Sequence, residues 1–120
     1  MKKRLTAAIL LLTLALTVWA SARYTNFTRV NPHVSFRGNT ANCLMEIEAD
    51  DGVNFNATMT LYRVENGKET FVKEWGTSGT TSLEFEGSYP GAVSGKTYKL
   101  TVQVTALGET ATESTTATCP

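Results

Sequence analysis

The sequence predicts an all-β protein: an antiparallel two-sheet sandwich of about seven strands behind a signal peptide helix. Apolar and polar residues alternate with period two from Tyr24 onward, and no 3.6-residue periodicity persists there over three turns. Turn chemistry breaks the alternation every 8 to 15 residues, the rhythm of short strands joined by tight connections.

The first 22 residues read as an export signal and the rest, 23–120, as one β-sandwich domain. Met1 to Arg4 is a positive leader, Leu5 to Ala20 is a chargeless run rich in Leu and Ala, and Ala20-Ser21-Ala22 is a small-x-small cleavage pattern. That run is shorter than the ~20 apolar residues a spanning helix needs, so a secreted product starting at Arg23, with no stable membrane anchor, is the expectation. Cleavage removes three cations and leaves 8 basic against 11 acidic side chains, a net charge of −3. A mildly acidic chain without clustered Lys or Arg points away from nucleic acid.

The elements follow in order. Val30, Val34 and Phe36 share one face of a first strand, and Pro32 assigns it to a sheet edge, where a missing N–H does no harm. In the second strand Ala41, Cys43, Met45, Ile47 and Ala49 point inward while Glu46 and Glu48 point out. Asp51-Gly52 closes it, and Thr58 to Val64 forms the third. Asn66-Gly67 is a two-residue hairpin signal, because both residues tolerate positive φ. Phe71 to Trp75 returns as its partner, although Phe71, Val72 and Trp75 do not share one parity. Leu83 and Phe85 face in on a short strand ended by Gly87 and by Tyr89-Pro90-Gly91, a type II turn candidate. Tyr98 to Thr105 gives the clearest alternation, with Tyr98, Leu100, Val102 and Val104 inward. Gly108 turns the chain into a last strand, Thr110 to Cys119.

Count and spacing alone match an immunoglobulin-like or fibronectin type III-like sandwich. The stretch "YPGAVSGKTYKLTVQVTA" resembles the corner and following strand of fibronectin type III-like domains, and that resemblance implies a tyrosine corner at Tyr98, its hydroxyl bonding to the backbone a few residues upstream. The chain also resembles small secreted β-sandwich proteins of Gram-positive bacteria of unknown function, through "LYRVENGKETFVKEW" and "SGKTYKLTV". The antibody pattern differs: there the tryptophan precedes the hairpin and the bridge reaches the strand that here carries Tyr98.

In this connectivity Cys43 and Cys119 lie near the same pole on opposite sheets, and two cysteines in an exported chain pair with each other as the first expectation. Such a bridge would stabilise the domain by roughly 4 kcal/mol. The alternatives are an intermolecular bridge through Cys119 and two free thiols.

Two outward faces are candidates for function. Glu46, Glu48, Glu84 and Glu86 share one, flanked by Arg29 and Arg37; an exposed ion-pair lattice is the plain reading and a surface Ca²⁺ site the weaker one. The other carries Thr58, Thr60, Tyr62, Lys99, Thr101 and Gln103, a flat, hydroxyl-rich ligand face for a protein or a glycan with Tyr62 as its aromatic platform. The last strand is an edge with Glu113 as its charged guard, open to self-association by strand pairing. No catalytic residue, cofactor motif or metal-binding pattern occurs. The expected function is therefore a secreted, non-enzymatic binding or surface-interaction module. A self-associating structural protein is the second reading and a glycan-active hydrolase a remote third.

Overall fold

The computed structural model describes residues 24–120; the expected signal segment lies outside the described residues. Seven strands follow one another: β1 (Phe27–Arg37), β2 (Thr40–Ala49), β3 (Asn54–Glu65), β4 (Lys68–Thr80), β5 (Ser82–Tyr89), β6 (Thr97–Ala106) and β7 (Glu109–Thr118). Every pairing is antiparallel, and the order across the strands is β1-β2-β5-β4-β3-β6-β7. Only Thr80 and Ser82 pair between β4 and β5, where the chain crosses from one layer to the other. The protein is thus a sandwich of a three-stranded sheet, β1-β2-β5, on a four-stranded one, β4-β3-β6-β7.

Thr81 makes that crossing at φ 66°, an unusual conformation for a β-branched residue. Hydrogen bonds hold it from both sides: its carbonyl accepts from Ala49 N–H at 2.7 Å, its N–H donates to the Val53 carbonyl at 3.0 Å, and its hydroxyl accepts from Gly52 N–H at 3.0 Å.

The core is the sum of the inward parities. Ala41, Cys43, Met45, Ile47 and Ala49 from β2 meet Phe55, Ala57, Met59 and Leu61 from β3 and Tyr98, Leu100, Val102 and Val104 from β6, all buried. Aromatic contacts tie the layers together: Phe36 lies 5.8 Å from Tyr98 and Phe27 lies 6.2 Å from Phe55, centroid to centroid. At the β4–β5 side the sheets close on Trp75, whose ring occupies the space a side chain at Gly87 would need; a Cβ there would sit 2.5 Å from Cε2 of the indole.

Two strands run longer than the alternation suggests. β3 begins at Asn54 because Phe55 and Ala57 continue the buried row despite the asparagines between them. β4 continues to Thr80 through Gly76-Thr77-Ser78-Gly79, which reads as loop by composition but pairs with Asn54 to Thr58. Its mixed parity is a β-bulge: Leu61 pairs with Lys73 and Tyr62 with Phe71, so Val72 is an extra residue. The bulge turns Val72 and Trp75 toward the core and leaves Phe71 outside, 60% exposed.

The turn at Tyr89-Pro90-Gly91 is not type II. That type needs φ > 0 at Gly91, which is absent from the positive-φ residues. The Tyr89 ring folds over Gly91: a Cβ there would lie 2.6 Å from the tyrosine hydroxyl and would make the ring swing aside.

Candidate functional site

The outward face of the four-stranded sheet is built from residues that alternate with the core rows. Across it, from β4 through β3 and β6 to β7, run Phe71, Tyr62, Lys99 and Thr116 in one row. The next rows are Glu74, Thr60, Thr101 and Ser114, then Gly76, Thr58, Gln103 and Thr112. All six residues expected on a ligand face, Thr58, Thr60, Tyr62, Lys99, Thr101 and Gln103, therefore share this surface.

Their exposure differs from the expectation at one point. Thr60 is only 8% exposed, because β3 is an inner strand and Glu74 reaches over it, accepting from the Thr60 hydroxyl at 3.3 Å. Lys99 also reaches across β3, its Nζ donating to Glu69 at 2.8 Å. Hydroxyls on β6 and β7 bond directly across the ladder, Thr97 to Thr118 at 2.9 Å, Thr101 to Ser114 at 3.0 Å and Thr105 to Thr110 at 3.3 Å. What stands out from this flat, self-satisfied surface is Phe71 beside half-buried Tyr62. Sequence reasoning passed over Phe71; the parity break around Val72 was its signal.

On the other wet face the four glutamates do not converge. Glu46 pairs with Glu84, but Glu48 stands opposite Ser82 and Glu86 opposite Leu44. Glu46 is engaged by Arg29 at 3.4 Å and by the His33 ring at 3.0 Å. Among the described residues no group of three or more His, Cys, Asp or Glu side chains could hold a metal ion, and Glu46, Glu48, Glu84 and Glu86 form no such group. Residues along straight strands space their carboxylates apart and cannot wrap an ion as a loop does. Glu46, Glu48 and Glu84 instead rim a surface depression of about 400 Å³ between β2 and β5, shared with Arg29 and Ser82.

The expected Cys43–Cys119 bridge is also absent: both cysteines are buried and unbonded. Cys119 is fixed beside β6 by Lys96 and Gly95 through its backbone, and its Sγ meets the Gly38 carbonyl of the β1–β2 turn at 3.7 Å. Cys43 lies further along β2, between Val34 and Gly87 in register. Burial pushes its thiol up to about 11, which keeps it protonated and unreactive at neutral pH.

Tyr98, expected at a tyrosine corner, is buried, and its hydroxyl accepts a hydrogen bond from Val93 N–H at 2.8 Å. This holds the segment between β5 and β6 against the core. The lead-in to β1 is held in a comparable way. Glu109 accepts from the N–H groups of Thr25 and Asn26, both at 2.8 Å, and Tyr24 donates to Glu113 at 2.6 Å and to the Thr112 carbonyl at 3.2 Å.

No protein-family profile matches this sequence, and no curated protein does. Among solved structures it is similar to two of the β-glucuronidase of Parabacteroides merdae, with TM-scores of 0.56 and 0.55 and identities of 13% and 14%. Each covers 78% of this chain and only 13% of that enzyme, so the chain spans a small fraction of the protein it matches. A sporulation control protein of Bacillus subtilis aligns over 80% of this chain and 49% of its own at 7% identity and a TM-score of 0.41. At these identities the likeness concerns the fold, an all-β sandwich.

Proposed function

We propose that this chain is a secreted, non-enzymatic binding module of immunoglobulin- or fibronectin type III-like type, with the outward face of β4-β3-β6-β7 as its contact surface. The division into β1-β2-β5 and β4-β3-β6-β7 and the buried Tyr98 hydroxyl bond support the type. The observation that carries the function is the bulge at Val72. It spends an extra residue to set the exposed ring of Phe71 opposite Tyr62 on a surface whose remaining side chains are mostly hydroxyls, with Gln103, Glu74 and the Lys99–Glu69 ion pair among them. Bulges of this kind re-aim side chains next to functional sites. An exposed aromatic ring beside hydroxyl, ammonium and carboxylate groups suits the C–H face and hydroxyl rim of a sugar.

The test is retention of the secreted protein on insoluble polysaccharides, with chitin and purified bacterial cell wall as probes. The wild-type chain is expected to be retained, and Phe71→Ser and Tyr62→Ser to lose retention at least tenfold with an unchanged melting temperature. A wild type that is not retained, or variants that bind as well as it does, would overturn the reading.

A further inference from the structure

The sandwich has four strands with an open side, and three of them are guarded. β1 carries Pro32 together with Arg29, His33 and Arg37. β4 carries the bulge at Val72 and the charges Lys68, Glu69, Lys73 and Glu74. β5 carries Glu84 and Glu86. These are the usual devices that stop a sheet edge from pairing with another chain. β7 has no proline and no bulge, since its register with β6 is unbroken from Glu109 to Thr118. Its two charges, Glu109 and Glu113, are both occupied by the Tyr24–Asn26 lead-in.

The direction of the β7 backbone can be read from its contacts. The Thr112 carbonyl takes the Tyr24 hydroxyl, so it faces away from β6. Cys119 N–H donates to Lys96, so position 119 faces the β6 side. Side-chain oxygens of Thr110, Ser114 and Thr118 lie 2.9–3.3 Å from their β6 partners, the close approach of non-hydrogen-bonded pairs in an antiparallel ladder. All three observations give one parity: Ser114, Thr116 and Thr118 direct their N–H and C=O groups to the open edge. The lead-in closes this edge as far as Thr112; β1 packs against β7 from the other sheet, and among the described residues the outward N–H and C=O groups of Ser114, Thr116 and Thr118 have no hydrogen-bond partner.

We infer that this stretch pairs with the same stretch of a second copy of the chain, antiparallel about a two-fold axis at Thr116. Ser114 then meets Thr118 of the second copy, and Thr116 meets its own counterpart. No like charges are brought together, because the stretch is uncharged. Both pairs are hydrogen-bonded pairs of the new ladder, so each exchanges two backbone N–H to C=O bonds across the axis, with the hydroxyls on the outward face beside them. A self-complementary edge of this kind closes as a dimer and does not propagate. The two four-stranded sheets become one continuous sheet of eight. This pairing is independent of the ligand face and survives a failure of the binding proposal.

The experiment is light scattering with size-exclusion chromatography on the secreted protein over a wide concentration range. The mass is expected to climb toward twice that of the monomer as concentration rises. Thr116→Pro removes one edge N–H that has no partner among the described residues, and Thr116→Lys places a charge on the axis beside its own copy. Both variants are expected to remain monomeric over the same range, with unchanged circular dichroism. Should the proline variant fold poorly, the lysine variant and hydrogen exchange carry the test: the Ser114, Thr116 and Thr118 amides gain protection with concentration and those of β4 do not. A wild type that stays monomeric throughout, or a dimer that persists in both variants, overturns the proposal.

Discussion

The two hairpins of the four-stranded sheet, β3–β4 and β6–β7, turn with the same backbone. Asn66 and Gly67 have φ of 52° and 76°, and Leu107 and Gly108 have φ of 51° and 79°. Both connect their strands through two residues, between Glu65 and Lys68 in one case and Ala106 and Glu109 in the other. Yet β3–β4 uses the residues such a turn favours, then breaks its ladder with a bulge and charges its outer edge. β6–β7 puts a leucine in the left-handed region, 76% exposed, then runs an unbroken ladder whose last stretch, Ser114 to Thr118, is uncharged. The comparison teaches that local turn chemistry and ladder regularity substitute for each other. One hairpin is directed by its turn; the other holds a strained turn because its pairing and cross-strand hydroxyl bonds fix the register.

The largest expected effect breaks the ladder that carries this burden. Odd positions of β7 face β6, so Thr115→Pro removes a hydrogen bond opposite buried Leu100 and is expected to destabilise the domain by about 3 kcal/mol. Thr116→Pro, one residue further, is expected to cost the monomer less than about 1 kcal/mol, because its N–H faces outward. Urea denaturation of the two variants at low concentration reads the contrast. Equal losses would mean that the parity assigned to β7 is wrong.

An exchange of turn residues sharpens the comparison with a smaller effect. A leucine in the left-handed region costs about 1–2 kcal/mol relative to a residue at ease there, and asparagine recovers much of that. Leu107→Asn is expected to stabilise by about 1 kcal/mol and Asn66→Leu to destabilise by a similar amount. A Leu107→Asn variant no more stable than wild type in thermal denaturation would show that the exposed leucine finds compensation elsewhere.

The same contrast explains what could be read in advance. Asn66-Gly67 declares a hairpin by chemistry, and the rows from Ala41 to Ala49 and from Tyr98 to Val104 declare their buried faces by strict alternation. Leu107 declares nothing, because its conformation is imposed by the strands on either side. The bulge was visible only as disagreement among Phe71, Val72 and Trp75, since alternation shows that a register breaks but not which residue is extra. Among candidate site residues, strand parity gathered Tyr62, Thr58, Thr101, Lys99 and Gln103 on one face. It could not show that Thr60 is covered, because cover comes from a neighbouring strand's Glu74. The cysteine pairing failed for a related reason: sharing a pole and an inward direction does not bring two side chains together, and Cys119 meets the β1–β2 turn instead.

The smallest effect concerns the lead-in that limits the open edge of β7. Two backbone N–H groups, those of Thr25 and Asn26, hold the Glu109 carboxyl below its ordinary 4.5. Its folded-state value is depressed, so the clasp contributes stability above the unfolded value and loses it as pH falls through the folded one. Acidification below pH 4.5 is therefore expected to lower the protection of the Thr25 and Asn26 amides, measured against the intrinsic exchange rate at each pH, well before β6 amides respond, as NMR hydrogen exchange would show. At the alkaline end the clasp persists. Burial, with Glu113 as hydrogen-bond partner, pushes the Tyr24 hydroxyl up to about 12. Stability in that range falls between pH 9 and about 11 through Cys43 and between pH 10 and about 12 through Tyr24, because each folded group keeps its proton after the unfolded one has lost it. Glu109→Gln should mimic the acid state at neutral pH, because an amide offers one acceptor oxygen where two are used. If the lead-in limits pairing, that variant also uncovers more of the β7 edge and dimerises at lower concentration than wild type; a weaker dimer would show that Tyr24 to Asn26 supports the edge and does not restrict it.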